Sequence, residues 1–581
     1  MRPLRSFAVL ALAIAPLLSG CGNDKPPAPD PAPVVVFQAK PAPLGDLDAP
    51  PSMIAWGGAE NLEKLSTGAQ AFLTQIYPIL PAPLDLAKDQ LRAKMALTKL
   101  DGIDWKKPAR VAIFDPRGTP KGNFALVVGL ANKDALLATL PPTKKERDEG
   151  NAITYRDDLG RYVCLNFIDE SVAITWEKKQ FEPNKEAFAA LARATSADEQ
   201  AFFLSAKNVS VLYAKDIEEM QSQAKQQIAA SPFAMPGAQG EVQQRVFTWM
   251  VSTFKELDRV EARPLLIEDG VLLDLRLYPK ADTALQASFK AIEPRPHTLL
   301  AKLPADAPMF ASFSTNPDAT DGLTTRLVEW AMSVGYGGNV PEEYAKVMKD
   351  YFQATAGEMA IAVHKPVAGE GLSLTTLLSV RDEAKLREAM RKSKDAFKDK
   401  ETVETLKKGG MTLDYKRDAY KLGSVPVDTV EVKVEKGKNA LSQLGMFGEA
   451  MGDFWNYHMA VSKDLGVIGY GKEGRKTLEA FLGGKVTGGL DKTAGAARAF
   501  KYAVKDPVGL LYLSPVEMAK RASLGGKNPL ADSLKDLAGT SGVALSFSAK
   551  SGVLEIVIDV PTEQAKNIAQ AAGRLRGLMG Q

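Results

Sequence analysis

The sequence predicts an α+β protein: a tandem duplication of a domain made of mostly antiparallel sheet with helices interspersed. Three observations point there. The chain has 581 residues, too many for one ordinary core, so two or more domains are expected. Short stretches alternate apolar and polar side chains with the period of a strand, as in Leu554-Glu-Ile-Val-Ile-Asp-Val560. Hairpin turns at Glu268-Asp269-Gly270 and Lys550-Ser551-Gly552 tie such stretches in pairs. Finally, matching segments recur in one order along the chain, offset by about 250 to 300 residues.

The matches run as follows. Arg110-Val-Ala-Ile-Phe114 is echoed by Glu358-Met-Ala-Ile-Ala362, and Leu130-Ala-Asn-Lys-Asp-Ala-Leu136 by Val380-Arg-Asp-Glu-Ala-Lys-Leu386. Ala152-Ile-Thr-Tyr-Arg156 pairs with Met411-Thr-Leu-Asp-Tyr415, and Val209-Ser-Val-Leu-Tyr213 with Val508-Gly-Leu-Leu-Tyr512. The halves close on Asp269-Gly-Val-Leu-Leu-Asp-Leu-Arg-Leu-Tyr-Pro279 and Ser551-Gly-Val-Leu-Glu-Ile-Val-Ile-Asp-Val-Pro561. Chance matches would scramble that order, so residues 52–295 and 300–581 read as two diverged copies, joined at Pro294-Arg-Pro296. Amphipathic helices are expected over Asp216 to Ile228, Val242 to Leu257 and Glu383 to Phe397. Tightly joined strand pairs with helices between them give α+β.

The N-terminus is of another kind. Arg2 and Arg5 form a basic region, Phe7 to Leu18 an apolar one, and Ser19-Gly20 a small-residue cleavage site. The apolar run is too short to span a bilayer, which takes about 20 residues. Leu18-Ser19-Gly20-Cys21 resembles the bacterial lipobox. That resemblance implies a signal peptide over 1–20, a thioether between the Cys21 sulfur and diacylglycerol, and two or three acyl chains on the mature end. Two chains anchor stably where one binds only marginally. Gly22 stands where an aspartate favours inner-membrane retention in such lipoproteins, which implies the outer membrane of a Gram-negative envelope.

Residues 21–51 then read as a tether, with nine prolines between 22 and 51. At about 3.1 Å per residue of polyproline II, thirty residues reach on the order of 90 Å. Val34-Val35-Val36-Phe37 interrupts it, either as part of the linker or as a docking strand. At Leu303-Pro-Ala-Asp-Ala-Pro-Met-Phe310 the body resembles a bacterial surface-protein family of unknown function. That family opens its domain with Leu-Pro-Ala-Asp, a short spacer and an aromatic strand, and it implies no catalytic residues.

Charge and cysteine content narrow the function classes. Losing Arg2 and Arg5 with the signal peptide takes the formal net charge from +3 to +1. A near-neutral body has no global field to draw it to nucleic acid. With Cys21 lipidated, only Cys164 remains, so no intrachain disulfide is available, and Cys164 in Tyr162 to Phe167 reads as an inert thiol on a strand.

Motifs that could carry chemistry are few. Gly469-Tyr-Gly471-Lys-Glu-Gly474 fits G-x-G-x-x-G between a strand and a helix, but the first copy has no glycines at Val172 to Gln180. A tight turn is the expected use. Ser252-Thr-Phe-Lys255 has S-x-x-K spacing without the partner elements of penicillin-recognising enzymes. His297, His364 and His458 lack metal-ligand spacing, and nothing marks the Asp157-Asp158 pair. Two segments could bind apolar partners: the aromatic and methionine stretch from Met446 to Met459, and the Ser231-Pro-Phe-Ala-Met-Pro-Gly237 loop.

The expectation is therefore a membrane-anchored envelope lipoprotein without catalytic, cofactor or metal residues. Its partner would be another envelope protein. The alternatives are a carrier of hydrophobic ligands, which requires an apolar cavity, and an envelope hydrolase.

Overall fold

A computed structural model describes residues 43–76, 83–117, 123–140, 145–148, 151–156, 160–219, 250–318, 342–363, 373–395, 411–434, 456–486, 488–522 and 541–578, with a few isolated positions. Leu18, Ser19, Gly20, Cys21 and most of the tether lie outside the described residues, as do His364, Asp157-Asp158 and the Ser231 to Gly237 loop. The chain is α+β, and every strand pair with a printed register is antiparallel.

The chain forms two compact units: Met1–Ala214 with Leu257–Ile267 and Leu273–Leu275, and Lys215–Glu256 with Glu268–Leu272 and Arg276–Gln581. The first unit holds β1 (Met53–Ala59), β2 (Ala109–Phe114), β3 (Phe124–Gly129), β4 (Lys145–Asp148), β5 (Ala152–Arg156), β6 (Tyr162–Ile168), β7 (Ser171–Thr175), β8 (Gln200–Leu204) and β9 (Leu257–Ile267). Across its sheet the order is β9-β8-β1-β2-β3-β7-β6-β5-β4.

Its helices are α1 (Leu62–Ile76), α2 (Pro83–Met95), α3 (Lys133–Ala138), α4 (Lys178–Arg193) and α5 (Ala206–Leu212). On one face Trp56, Ala112, Phe114 and Val127 pack against Phe188 and Leu191 of α4. On the other, Val128, Ile153 and Leu165 pack against Met95 of α2 and Leu136 of α3. The alternation of β3, with Val127 and Val128 facing opposite cores, is what two-sided burial requires.

Most of β10 (Gly270–Pro279) belongs to the second unit, where it is followed by β11 (Met309–Ser314), β12 (Thr355–Val363), β13 (Leu374–Val380), β14 (Met411–Leu422), β15 (Val425–Val434), β16 (Tyr457–Val461), β17 (Leu465–Tyr470), β18 (Gly509–Leu513), β19 (Val543–Lys550) and β20 (Val553–Pro561). The order is β20-β19-β18-β11-β12-β13-β17-β16-β15-β14. From β19 to β14 it repeats the first sheet's order strand for strand. The helices here are α6 (Ala284–Lys290), α7 (Glu342–Ala354), α8 (Glu383–Asp395), α9 (Gly474–Leu482), α10 (Ala494–Lys501), α11 (Pro515–Ala522) and α12 (Thr562–Leu578). One face buries Phe310, Ala360 and Val467 with Leu478 of α9. Along β13, β16 and β17 the other face buries Leu378, Met459 and Ile468 with Leu386 and Met390 of α8.

Five expectations need correcting. Val209 to Tyr213 is not a strand but lies mostly in α5, because the Ser205 hydroxyl accepts the Asn208 amide at 3.1 Å and caps a helix over a β-branched run. The strand beside β1 is Gln200–Leu204 instead. Ala152 to Arg156 was matched to the wrong strand: β5 and β15 are second in their meanders, and Met411 begins the first. Helix ends before Leu257, which opens β9.

The tether ends sooner than Pro51. Leu44 is buried in a 3-10 turn, Leu44–Asp46, and its carbonyl accepts Trp56 Nε1–H at 2.9 Å. Asn208 Nδ2 also holds the Pro50 carbonyl, at 3.0 Å. Finally, Pro294 to Pro296 is no free joint, since Pro294 bridges Thr315 and the Arg295 amide reaches the Ser314 carbonyl.

A candidate apolar site on the second sheet

The described residues among those singled out by sequence lie on strands, in a turn and on a helix. Cys164 is buried on β6 among core side chains. Gly471 takes a φ of +80° in the turn between β17 and α9. A Cβ on Gly469 would lie 2.5 Å from the Gly474 carbonyl oxygen, so the glycines let strand and helix close on each other. The flanking strand β17 pairs antiparallel on both sides, unlike a dinucleotide-binding βαβ unit. Ser252 and Lys255 sit on the helical turn before β9, and the Lys255 carbonyl accepts Lys280 Nζ at 2.7 Å. Met459 packs in the core, while Met446 to Phe454 lies outside the described residues.

Two histidines are pins. His297 Nε2 lies 2.8 Å from the Pro507 carbonyl and must donate to it, so Nδ1 accepts the Ser312 hydroxyl at 2.7 Å. Beside it, Glu358 accepts from the Thr298 hydroxyl and the Leu299 amide, at 2.6 and 2.5 Å. His458 Nδ1 meets the Tyr420 hydroxyl at 2.9 Å.

Burial holds His297 below its ordinary value, against the opposing pull of the Pro507 carbonyl and Glu358. Because the folded value is depressed, the unfolded chain binds the extra proton first. His297 therefore contributes stability above pH ~6.5 that is lost as pH falls below it. Thermal melting of the full chain is expected to weaken from neutral pH toward pH ~5, and His297→Gln to weaken less over that range. An equal pH dependence in both proteins would contradict the assignment.

A polar cluster on β14 and β15 proves self-satisfied. Arg391 bonds both oxygens of buried Asp428, at 3.0 and 3.1 Å, and Asp418 at 2.7 Å; Tyr415 donates to Asp428 at 2.9 Å. Burial raises Asp428, but the hydrogen bonds and the guanidinium charge outweigh it and leave its carboxyl below the ordinary value. The depression beside it, about 10 Å³, has room for about one water. Among the described residues, no group of three or more His, Cys, Asp or Glu is placed to hold a metal. Nor is any described helix long and apolar enough to cross a membrane.

The feature that sequence reading missed is a cavity of about 160 Å³ in the second unit, on the sheet face opposite Phe310. Its floor is two cross-strand rows. One row is Met359–Phe313–Gly509–Phe547, and in the next Ala311 faces Leu511. The small residues Gly509 and Ala311 make the hollow, and larger neighbours wall it. Phe547 leans across Gly509 so far that a Cβ there would come within 2.0 Å of its ring. The rings of Phe313 and Phe547 lie 6.4 Å apart.

The hollow is almost wholly apolar. Ser312 borders it, but side chains alternate along β11, so the Ser312 hydroxyl points to the other face, where His297 holds it. A cavity of this kind offers a ligand no hydrogen bond. Enclosed apolar cavities of about 150 Å³ stay dry and take up benzene or xenon; this hollow is half-open, so water reaches its mouth. The available signal in sequence was weak: Ala311 and Phe313 on β11 are apolar on the face that a one-sided sheet would leave polar.

No family model matches the chain, and no curated protein matches it. Among solved structures, one titled "Structure of crystal form I of TP0453" is similar over 42% of this chain and 80% of its own. The identity is 11% and the TM-score 0.19, a level at which the likeness carries no argument about fold or function.

Proposed function

We propose that the protein is a lipid-anchored envelope protein that works by binding rather than catalysis, with an apolar group held in the cavity of its second unit. The observation that carries this reading is the apolar hollow between Ala311, Phe313, Met359, Gly509, Leu511 and Phe547. It favours the hydrophobic-ligand reading over a purely protein-binding role. The volume of the half-open hollow matches a hydrocarbon group about the size of benzene.

A ligand that binds only the folded state raises its stability by RT ln(1 + [L]/Kd), about 2.7 kcal/mol at a hundredfold excess over Kd. Benzene is accordingly expected to raise the melting temperature of the full chain. Ala311→Leu fills the floor of the hollow and should abolish the rise while leaving the fold intact. An equal rise in both proteins would put the benzene elsewhere.

The same proposal takes the two units as diverged copies of one domain. Their shared strand order supports this, as does the alignment of Arg110 on β2 with Glu358 on β12, each buried and each bonding main-chain groups near the start of its own sheet. The resemblance at Leu303 to Phe310 belongs to the same reading.

Attachment through Cys21 is supported by the lipobox pattern and by chemistry: a thiol behind a cleavable apolar leader is what diacylglycerol transfer needs. The outer membrane is the expected address. Cys21→Ser is expected to move the protein from the membrane to the soluble fraction with its melting temperature unchanged. Membrane fractionation that left the variant anchored would refute the lipobox reading.

A further inference from the structure

The first turn of α4 carries a polar side chain where a core-facing helix calls for an apolar one. Buried positions on α4 recur at Gln180, Asn184, Ala187, Phe188 and Leu191, one stripe at helical spacing. Phe188 and Leu191 pack on the first unit's sheet, so Gln180 faces it too. Gln180 is 2% exposed, yet neither its amide oxygen nor its amide nitrogen has a hydrogen-bond partner. Asn184, next along the stripe, is bonded at both ends of its amide: it accepts the Ser52 hydroxyl at 3.3 Å and donates to the Gln180 carbonyl at 2.8 Å.

The sheet beneath offers polar atoms of its own. Thr175 ends β7, and only Trp176 and Glu177 separate it from α4, which sets the first turn of the helix beside that strand end. Ala173 belongs to the core under α4, and Thr175, two residues on, shares its face. Asn166 on β6 stands opposite Ala173 and points the same way. Both residues are buried, and Thr175 Oγ1 and Asn166 Nδ2 lack partners as well. Four polar atoms on one helix turn and two strands are thus shut in without a protein group to bond them.

The second unit closes the same place. There the strand residue against the helix is Gly469, and the first buried position of α9, again five residues on, is Gly474. A Cβ on Gly474 would lie 2.3 Å from the Gly469 carbonyl oxygen, so nothing fits between strand and helix. The polar side chain opposite Gly469 is His458, and the Tyr420 hydroxyl bonds it.

We infer that the first unit holds internal water between α4 and the strands β6 and β7, bonded by Gln180, Thr175 and Asn166. The inference is independent of the hollow in the second unit. Water suits the atoms present. The two amide nitrogens donate, the Gln180 oxygen accepts and the Thr175 hydroxyl does either, and an internal water makes about three such bonds. None of the three side chains is charged, so an ion here would be buried without a counter-charge from them. An apolar guest would leave all four atoms unpaired, which is costly in a buried site.

The test counts long-lived internal waters in the full chain by oxygen-17 relaxation dispersion of the solvent. Gln180→Met and Thr175→Val nearly keep the side-chain shapes and remove the polar atoms. The double variant is expected to hold about one or two fewer long-lived waters than wild type. An unchanged count in a folded double variant would overturn the inference. Melting of the single variants is a second readout. With water in place, Gln180→Met takes two bonds from it and should lower the melting temperature; in a dry site it removes two unpaired atoms and should raise it. Thr175→Val, the smaller change, reads the same way should Gln180→Met fold poorly. A rise in either single variant would contradict the water site.

Discussion

Arg110→Ala is expected to cost about 3 kcal/mol of stability, seen as a lower urea midpoint for the first unit. Arg110 is 2% exposed near the start of β2. It donates to the Ala59 carbonyl at 2.7 Å and the Ala194 carbonyl at 3.1 Å, and it pairs with Glu60. Glu60 in turn accepts the Ser196 amide at 2.8 Å. One guanidinium thus ties the end of β1 to the loop after α4.

Removing it strands two carbonyl acceptors that desolvation makes costly to leave unpaired, about 1–3 kcal/mol each. Glu60 is part-exposed and can regain water, which keeps the loss toward the low end of the range for breaking a buried pair. Arg110→Met restores the volume but not the donors, so it should cost nearly as much. For contrast, Lys64 pairs with Glu199 where both side chains are mostly exposed, and Lys64→Ala should cost about 0–1 kcal/mol. A tolerated Arg110→Met would show that packing, not hydrogen bonding, is what Arg110 supplies.

Gly357→Val should be at least as damaging, by about 3 kcal/mol or more. Gly357 has a φ of +88° in the irregular stretch of β12 between Thr355 and Met359. A Cβ there would sit 2.0 Å from the Thr315 carbonyl oxygen and 2.8 Å from Pro317 Cδ. The left-handed conformation alone costs a residue with a side chain about 1–2 kcal/mol, and the overlap with backbone must be relieved by moving β12 or the end of β11. The neighbours of Gly357 make that movement consequential. Glu358 holds the Leu299 amide, and Met359 lines the hollow, so benzene affinity should fall along with stability. Gly160→Ala is the control: φ is +74°, but nothing lies within 4 Å of the added carbon. It should cost only the conformational part, about 1–2 kcal/mol. Equal losses at the two positions would mean that close approach plays no part at Gly357.

These residues also show what was legible in the sequence. The hairpin at Ser551-Gly552 was readable because its two left-handed residues, with φ of +54° and +81°, are the chemistry a two-residue turn demands. The strand over Leu554 to Val560 was readable by alternation. Val209 to Tyr213 was misread because β-branched residues imitate a strand, while the decisive feature was a cap one turn earlier at Ser205. The tether's end was misread because proline content says nothing of whether Leu44 finds a core. The cavity was illegible for a further reason. Gly509 and Phe547 are ordinary residues far apart in sequence, and the hollow exists only once cross-strand register sets a small residue between large ones. His297 stands in no metal-ligand spacing, and its bond to Ser312 depends on a packing that no spacing encodes.

The central claim, that the second unit binds a hydrocarbon in this hollow, is tested most directly by methyl NMR of Met359. The full chain would carry carbon-13 at its methionine methyl groups, with the Met359 signal assigned from Met359→Leu. On titration with benzene, the Met359 methyl is expected to shift with a saturable curve, because the ligand's ring would lie against it, and Ala311→Leu should remove the shift. A Met359 signal that stays still, or drifts linearly as methyls elsewhere do, would contradict the account.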